Sequence, residues 1–142
     1  MPAVLRGYGA DFDVDAFLAG CTLPVCAVKR RGEPVFPVSQ PNGRQHERSG
    51  VHVSASAADF TEFRQQVEES VAFLRGNSAE VRLLCEFPGV KSVTLDFGLV
   101  RRDDVAIQCD HLPSELVRLA GSFGLSLELS HYPPAKQSAD SD

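Results

Sequence analysis

Cys109, Asp110 and His111 place a nucleophile, an acid and a base at three consecutive positions. Nucleophilic catalysis needs the nucleophile and its base within about 3 Å, with a third group that orients the base. On an extended strand, Cys109 and His111 would project from one face, about 6.5–7 Å apart, and Asp110 from the other. We therefore expect no catalytic residues here and interpret Cys109 and His111 as packing residues at a strand end.

Two further patterns resemble metal sites. Asp11, Asp13 and Asp15 match the start of a calcium loop, but such a loop needs glycine at its sixth position and glutamate at its twelfth. This chain has Ala16 and Thr22 there. The histidines and cysteines lack the paired spacings of zinc ligands. We therefore predict no metal site and no cofactor, and assign the aspartates to a helix start.

A polar cluster is the stronger candidate for function. Arg44, His46, Arg48 and His52 lie on or beside residues 31–50, where prolines and glycines interrupt every periodicity. Exposed loop residues that a rigid scaffold holds are frequent recognition sites. We predict that these four residues bind a ligand or a partner. Phosphate-binding glycine loops, dinucleotide fingerprints and nucleophile elbows are absent from the sequence.

The charge is spread unevenly along the chain. Between Lys29 and Arg48 lie five basic and two acidic residues, a net charge of +3 that leaves −8 elsewhere, since the whole chain carries −5. The overall acidity argues against nucleic-acid binding, because such proteins are usually basic. The basic segment can instead attract an acidic partner.

The predicted sheet centres on three runs in which apolar and polar residues alternate. A period of two is typical of strands, so residues 81–87, 93–99 and 105–109 predict an antiparallel meander. Cys85 and Cys109 fall in its apolar register, where a free thiol behaves as a small hydrophobe.

Three helices are predicted to cover this sheet: residues 11–19, a long helix after Ser56, and a helix that starts near Pro113. Ser56 and Asp59 are expected to form the capping box of the long helix. Its apolar stripe has three- and four-residue spacings and comprises Phe60, Phe63, Val67, Val71 and Leu74.

Further strands are predicted at 3–8, 23–29, 50–54 and 125–132. The order of elements predicts an α+β fold, a two-layer sandwich in which helices cover a mainly antiparallel sheet. Its second part is expected to contain a ferredoxin-like βαββαβ element with extra strands. We predict one domain at residues 1–134 and a disordered tail at 135–142.

The composition, 43% hydrophobic and 23% charged, is that of an ordinary globular protein. No apolar run approaches the roughly 20 residues of a membrane-spanning helix. The start, Met1-Pro2-Ala3-Val4, lacks the basic region of a secretion signal. A cytoplasmic protein without a membrane partner is therefore expected.

Two stretches and the long helix between them carry a family resemblance. They are Ser49-Gly50-Val51-His52-Val53-Ser54 and the ending that runs from Leu112-Pro113-Ser114-Glu115-Leu116 to Leu129-Ser130-His131-Tyr132. Over roughly residues 5–132 the chain resembles the bacterial domain-of-unknown-function family numbered 4279. The resemblance implies no catalytic residue. Some small bacterial α+β domains of this general kind are immunity proteins that neutralise toxins.

These patterns favour a non-enzymatic domain that binds another protein, as an immunity-type domain would. The partner can also be a second copy of this chain, which would give a homodimer. The alternative is a small-ligand-binding protein or enzyme with a pocket between the 31–50 segment and the sheet. Such a pocket would be lined by some of Arg44, His46, Arg48, His52, Cys109 and His111. A third hypothesis is weak, salt-sensitive nucleic-acid binding through residues 29–48.

Overall fold

A computed structural model describes residues 2–134, so the tail predicted at 135–142 lies outside the described residues. The described residues form five strands and four helices. In chain order these are β1 (Ala3–Gly9), α1 (Val14–Ala19), β2 (Val25–Lys29), β3 (Ser49–Ser56), α2 (Phe63–Gly76), α3 (Ser78–Glu86), β4 (Ser92–Val100), α4 (Ser114–Phe123) and β5 (Ser126–Tyr132). In this part of the chain, no helix combines the length and apolar character needed to cross a bilayer.

The strands form one sheet in the order β2-β3-β1-β4-β5. Neighbouring strands are antiparallel except β4 and β5, which run parallel. The predicted α+β sandwich is therefore confirmed. From β1 to β4 the order is that of a ferredoxin-like βαββαβ unit, to which α4 and β5 are added. This unit occupies the first part of the chain, and its predicted place in the second part was wrong.

The strand predicted at 81–87 is wrong, because these residues lie mostly in α3. Val81 and Leu84 are buried and Cys85 is half-buried, whereas Leu83 is 48% exposed. This spacing is the three-and-four repeat of a helix that buries one side. Cys85 therefore packs from a helix, and its burial raises the pKa of its thiol to about 11.

The strand predicted at 105–109 is also wrong, because residues 101–113 contain no strand. Ile107 is 82% exposed, and Cys109, predicted to be buried, is exposed as well. The apolar residues of this segment alternate in sequence, but they do not form a buried face. The antiparallel meander is therefore reduced to β4 alone.

The long helix starts later than predicted. Ser56 ends β3, and Glu62 is the N-cap of α2, without a side-chain capping bond. Phe60 precedes the helix and packs against Tyr132, with ring centroids 5.3 Å apart. The rest of the predicted stripe is confirmed, since Val67, Val71 and Leu74 are buried and Phe63 packs against their core.

One face of the sheet is buried beneath the helices. Its inward residues are apolar and almost fully covered: Leu5, Val51, Val53, Val93, Leu95, Phe97 and Leu99. The helices contribute Phe17, Val67, Leu74, Val81, Leu84 and Leu116 to the same core. Burial of this apolar area is the main force that holds the two layers together.

Two helix ends follow the sequence closely. Asp13 caps α1, because its carboxylate accepts a hydrogen bond from the amide of Ala16 at 3.0 Å. The predicted role of the aspartates is thus confirmed for Asp13. At the other end of the chain, α4 stops at Gly124, whose φ of 75° is the left-handed conformation that glycine adopts without strain.

Candidate functional site

The second face of the sheet is not covered by a helix in the described part of the chain. We call it the open face; it carries the outward side chains of the strands. Those that matter for the site are Arg6, Tyr8, Lys29, His52, Asp96 and Ser130. Strand pairing sets their positions, since Arg6 lies opposite His52 and Tyr8 lies opposite Gly50.

Residues 31–48 fold back on themselves beside this face. The amide of Gly32 donates to the carbonyl of His46 at 2.9 Å, and the amide of His46 donates to that of Glu33 at 2.9 Å. The amide of Val35 donates to the carbonyl of Arg44 at 2.8 Å. These bonds make a short two-stranded ribbon, so the backbone that carries Arg44 and His46 is fixed.

A cleft of about 290 Å³ lies between the ribbon and the open face. We call it the basic cleft. Its lining combines two residues of the sheet with part of the ribbon: Tyr8, Lys29, Val35, Arg44, Gln45, His46, Glu47 and Arg48. The sheet and the loop therefore build it jointly.

Two basic side chains of the cleft lie near the ring of Tyr8. The guanidinium carbon of Arg48 lies 5.0 Å from the ring centroid, and the ammonium of Lys29 lies 6.0 Å from it. Both distances fall within the range of cation–π attraction. Among the described residues, no carboxylate lies within ion-pair distance of Lys29, Arg44 or Arg48.

Tyr8 is held from the other side by His52. The hydroxyl of Tyr8 is hydrogen-bonded to Nε2 of His52, and the two rings meet edge to face. Burial, assisted by the charges of Lys29 and Arg6, lowers the pKa of His52 from 6.5 to about 4. His52 is therefore neutral near pH 7.

The pKa of His52 predicts a pH-dependent stability. Between pH 6.5 and about 4 the unfolded chain binds the proton more readily than the folded chain. The stability that neutral His52 contributes is thus fully present above pH 6.5 and is lost as the pH falls through 4. Because the ring is half-exposed, we expect a loss of roughly 1–2 kcal/mol.

Urea unfolding at pH 7 and at pH 4.5 measures this loss. In a His52→Gln variant, which keeps a side chain able to hydrogen-bond to Tyr8, the stability should fall less between the two pH values. Equal pH dependence of the variant and the original chain would contradict the assignment.

Gly50 makes room for Tyr8. A Cβ on Gly50 would lie 2.5 Å from Cε1 of Tyr8, a distance at which the ring must move. We expect Gly50→Ala to displace Tyr8 and to cost about 1–3 kcal/mol, the usual range for overpacking. NMR signals of the Tyr8 ring report the displacement.

Gly121→Ala is the matched control, because an added Cβ meets no described atom within 4 Å. In α4 this change should stabilise the chain by up to about 1 kcal/mol. Unchanged Tyr8 signals in Gly50→Ala would show that the ring does not rest on Gly50.

A polar network crosses the open face beside His52. Arg6 forms an ion pair with Asp96, and the hydroxyl of Ser130 donates to Asp96 at 2.7 Å. Asp96 is 5% exposed, although it lies on the face without helices. The network joins β1, β4 and β5, so it fixes Arg6 beside His52.

The structure brings three of the four predicted site residues together. Arg44, His46 and Arg48 all line the basic cleft, while His52 lies behind it as the partner of Tyr8. The predicted location of a pocket, between the loop and the sheet, agrees with the cleft. Sequence reasoning missed Tyr8, although its position between two glycines of β1 was visible, and Lys29, which begins the basic segment.

Cys109 and His111 do not line the basic cleft. They line a groove of about 950 Å³ between the start of α2 and residues 101–113, which also includes Phe60, Phe63 and Ile107. Among the described residues no hydrogen bond joins Cys109 to His111, and Asp110 instead lies 3.7 Å from His131. The consecutive cysteine, aspartate and histidine therefore do not assemble as a nucleophile and its base.

The side chains of the types that bind metal ions also lie apart from one another. In the part of the chain that the structure describes, no three histidine, cysteine or acidic side chains lie close enough to hold a metal ion. All four cysteines are free thiols; Cys26 and Cys109 are exposed, and Cys21 and Cys85 are half-buried.

Searches of protein-family models, curated proteins and solved structures found no significant match to this chain. The resemblance to the domain-of-unknown-function family numbered 4279 therefore stays a prediction. Function has to be inferred from the basic cleft and the open face themselves.

Proposed function

We propose that this chain is a non-enzymatic, cytoplasmic binding domain that recognises an acidic surface of another protein. The contact surface comprises the basic cleft and the adjoining open face. Arg44 and Arg48 supply the long, exposed basic side chains, and Tyr8 and Lys29 supply the base of the site. An immunity-type role, as in some small bacterial α+β domains of this general kind, is one form of this function.

The observation that carries the proposal is that the basic side chains of the cleft form no ion pair among the described residues, although Glu47 also lines the cleft. In the described residues, seven other arginines form ion pairs: Arg6, Arg30, Arg31, Arg64, Arg75, Arg101 and Arg102. Lys29, Arg44 and Arg48 form none and line one cleft, although the chain as a whole carries −5. Arg82, Arg118 and Lys91 also form none among the described residues, but they do not line the cleft. Basic groups that lack internal partners are free to pair with the acids of a second molecule.

The Tyr8–His52 pair supports a contact role for the ring of Tyr8. The hydroxyl of Tyr8 is hydrogen-bonded to Nε2 of His52, and the two rings meet edge to face. These contacts orient the ring of Tyr8 at the base of the cleft.

A second copy of this chain is a further candidate partner. Strands β2 and β5 end the sheet, and each has one side that no described strand pairs with. Such edges can add a strand from another molecule and generate a symmetric dimer. Gel filtration with light scattering tests for this dimer. A monomer at high concentration would exclude the dimer but would leave binding to a different protein open.

A hexaglutamate peptide is a defined probe for the acidic partner. We expect it to bind at low ionic strength, with an affinity that falls as salt is added. Arg44→Gln/Arg48→Gln should weaken binding at least about tenfold, because both cleft guanidinium groups are lost.

Arg82→Gln/Arg118→Gln is the matched control. Arg82 also lies over an aromatic ring, 5.1 Å from the centroid of Phe123, and neither residue has an acid within ion-pair distance among the described residues. Equal weakening by both double variants would indicate a net-charge effect and contradict the proposal. Tighter retention on heparin than on the peptide would instead favour nucleic acid.

A further inference from the structure

We propose that the basic cleft is a binding site for the dianionic phosphate group of a phosphate monoester. The inference rests on the proposed function only in taking this cleft as the contact surface. The inference names the chemical group that enters the cleft. The proposed function requires only an acidic surface, which could contact the rim of the cleft without entering it.

The charge balance of the cleft points to a dianion. Three basic residues and one acidic residue, Glu47, line it, an excess of two positive charges. A phosphate monoester carries about −1.5 to −2 near pH 7, together with three strong acceptor oxygens. A single carboxylate would leave one of these basic groups without a counter-charge.

The types of basic residue fit a phosphate as well. Arginine presents a planar fork of N–H donors that matches phosphate oxygens, and lysine adds a compact point charge. The guanidinium carbon of Arg48 lies over the ring of Tyr8, 5.0 Å from its centroid. Among the described residues Arg48 forms no ion pair, so its charge is available to a phosphate.

The size of the cleft limits what can enter it. At about 290 Å³ it lies at or below the lower end of sites for drug-sized ligands. A phosphate group with a short attachment fits this volume. The backbone of the ribbon and the ring of Tyr8 are fixed beforehand, because the ribbon is hydrogen-bonded at Val35 and His46 and the hydroxyl of Tyr8 is bonded to His52. Such preorganisation lowers the entropic cost of binding.

Calorimetric titration with phenyl phosphate, and with benzoate as its monoanionic counterpart, tests the inference. At low ionic strength we expect phenyl phosphate to bind about tenfold more tightly than benzoate. Arg44→Gln/Arg48→Gln should weaken phenyl phosphate binding at least about tenfold, and Arg82→Gln/Arg118→Gln less than about twofold. Urea unfolding checks that both double variants remain folded.

The pKa of His52 gives a second readout. The charge of Lys29 contributes to the low pKa of His52, so an anion beside Lys29 should raise that pKa above about 4. An NMR titration of the His52 ring with and without phenyl phosphate measures the change. The rise should be absent in Arg44→Gln/Arg48→Gln.

The source of the phosphate is decided by two further ligands. If a phosphoserine-containing peptide binds much more tightly than free O-phosphoserine, the group belongs to a phosphorylated partner protein. If both bind equally, it belongs to a small molecule. Either result supports a phosphate site.

Failure of this inference is distinguishable from failure of the proposed function. Phenyl phosphate that binds no more tightly than benzoate, while hexaglutamate still binds through Arg44 and Arg48, overturns the phosphate site alone. Phenyl phosphate that binds equally well to both double variants also overturns it, because the ligand would then lie elsewhere.

Discussion

Replacing Phe97 with alanine is expected to lower the free energy of unfolding by about 3–5 kcal/mol. The side chain is 0% exposed on β4, and its ring meets that of Phe63 edge to face, with centroids 5.5 Å apart. Truncation removes a large apolar side chain between α2 and the sheet and leaves a cavity that only partly collapses. Urea unfolding measures the loss.

Phe36→Ala is the control, because Phe36 is 52% exposed in the ribbon. We expect this change to alter stability by no more than about 0.5 kcal/mol. If Phe97→Ala costs less than Phe36→Ala, the described contact between the two layers is not the one that stabilises the fold.

Replacing Asp96 with alanine is expected to cost about 3 kcal/mol, the lower end of the range for breaking a buried ion pair. Asp96 is 5% exposed, and its loss leaves Arg6 without its counter-charge and the hydroxyl of Ser130 without its acceptor. We expect the lower end of this range because the side chain of Arg6 is 30% exposed, so water can solvate its charge once Asp96 is removed.

Asp103→Ala provides the comparison for an exposed pair. Asp103 lies 3.7 Å from Arg101 at the surface, so its removal should cost less than about 1 kcal/mol. Similar losses for the two variants would mean that burial does not strengthen the pair across the open face.

The fold class was predictable because several signals agreed. Alternating apolar residues marked β1, β3, β4 and β5, and three- and four-residue spacings marked α2 and α4. The misassigned run at 81–87 carries apolar residues at positions that satisfy both periods. Only the burial of Val81 and Leu84 against the sheet, with Leu83 exposed, selects the helix. A short apolar run does not contain that information.

The error at residues 105–109 has a different cause. Val105, Ile107 and Cys109 alternate as strand residues do, but β4 already has β1 and β5 as its two neighbours. An antiparallel strand that followed β4 directly would have to pair with the edge of β4 that already pairs with the parallel strand β5. Strand order depends on contacts between distant residues, so local periodicity could not exclude this segment.

The candidate site could be predicted in part. Arg44, His46 and Arg48 stood out because an irregular, basic segment carries them. Tyr8 was not predicted because its role depends on the pairing of β1 with β3, which places it opposite Gly50 and near His52. The same pairing places His52, which was predicted as a contact residue, against the ring that lines the cleft.

The most direct test of the binding surface is an NMR titration of isotopically labelled protein with hexaglutamate. If the basic cleft is the contact surface, the largest shifts should fall on Tyr8, Lys29 and residues 44–48, with smaller shifts at His52. Shifts concentrated on residues 101–113 and the start of α2, or no shifts at low ionic strength, would contradict it.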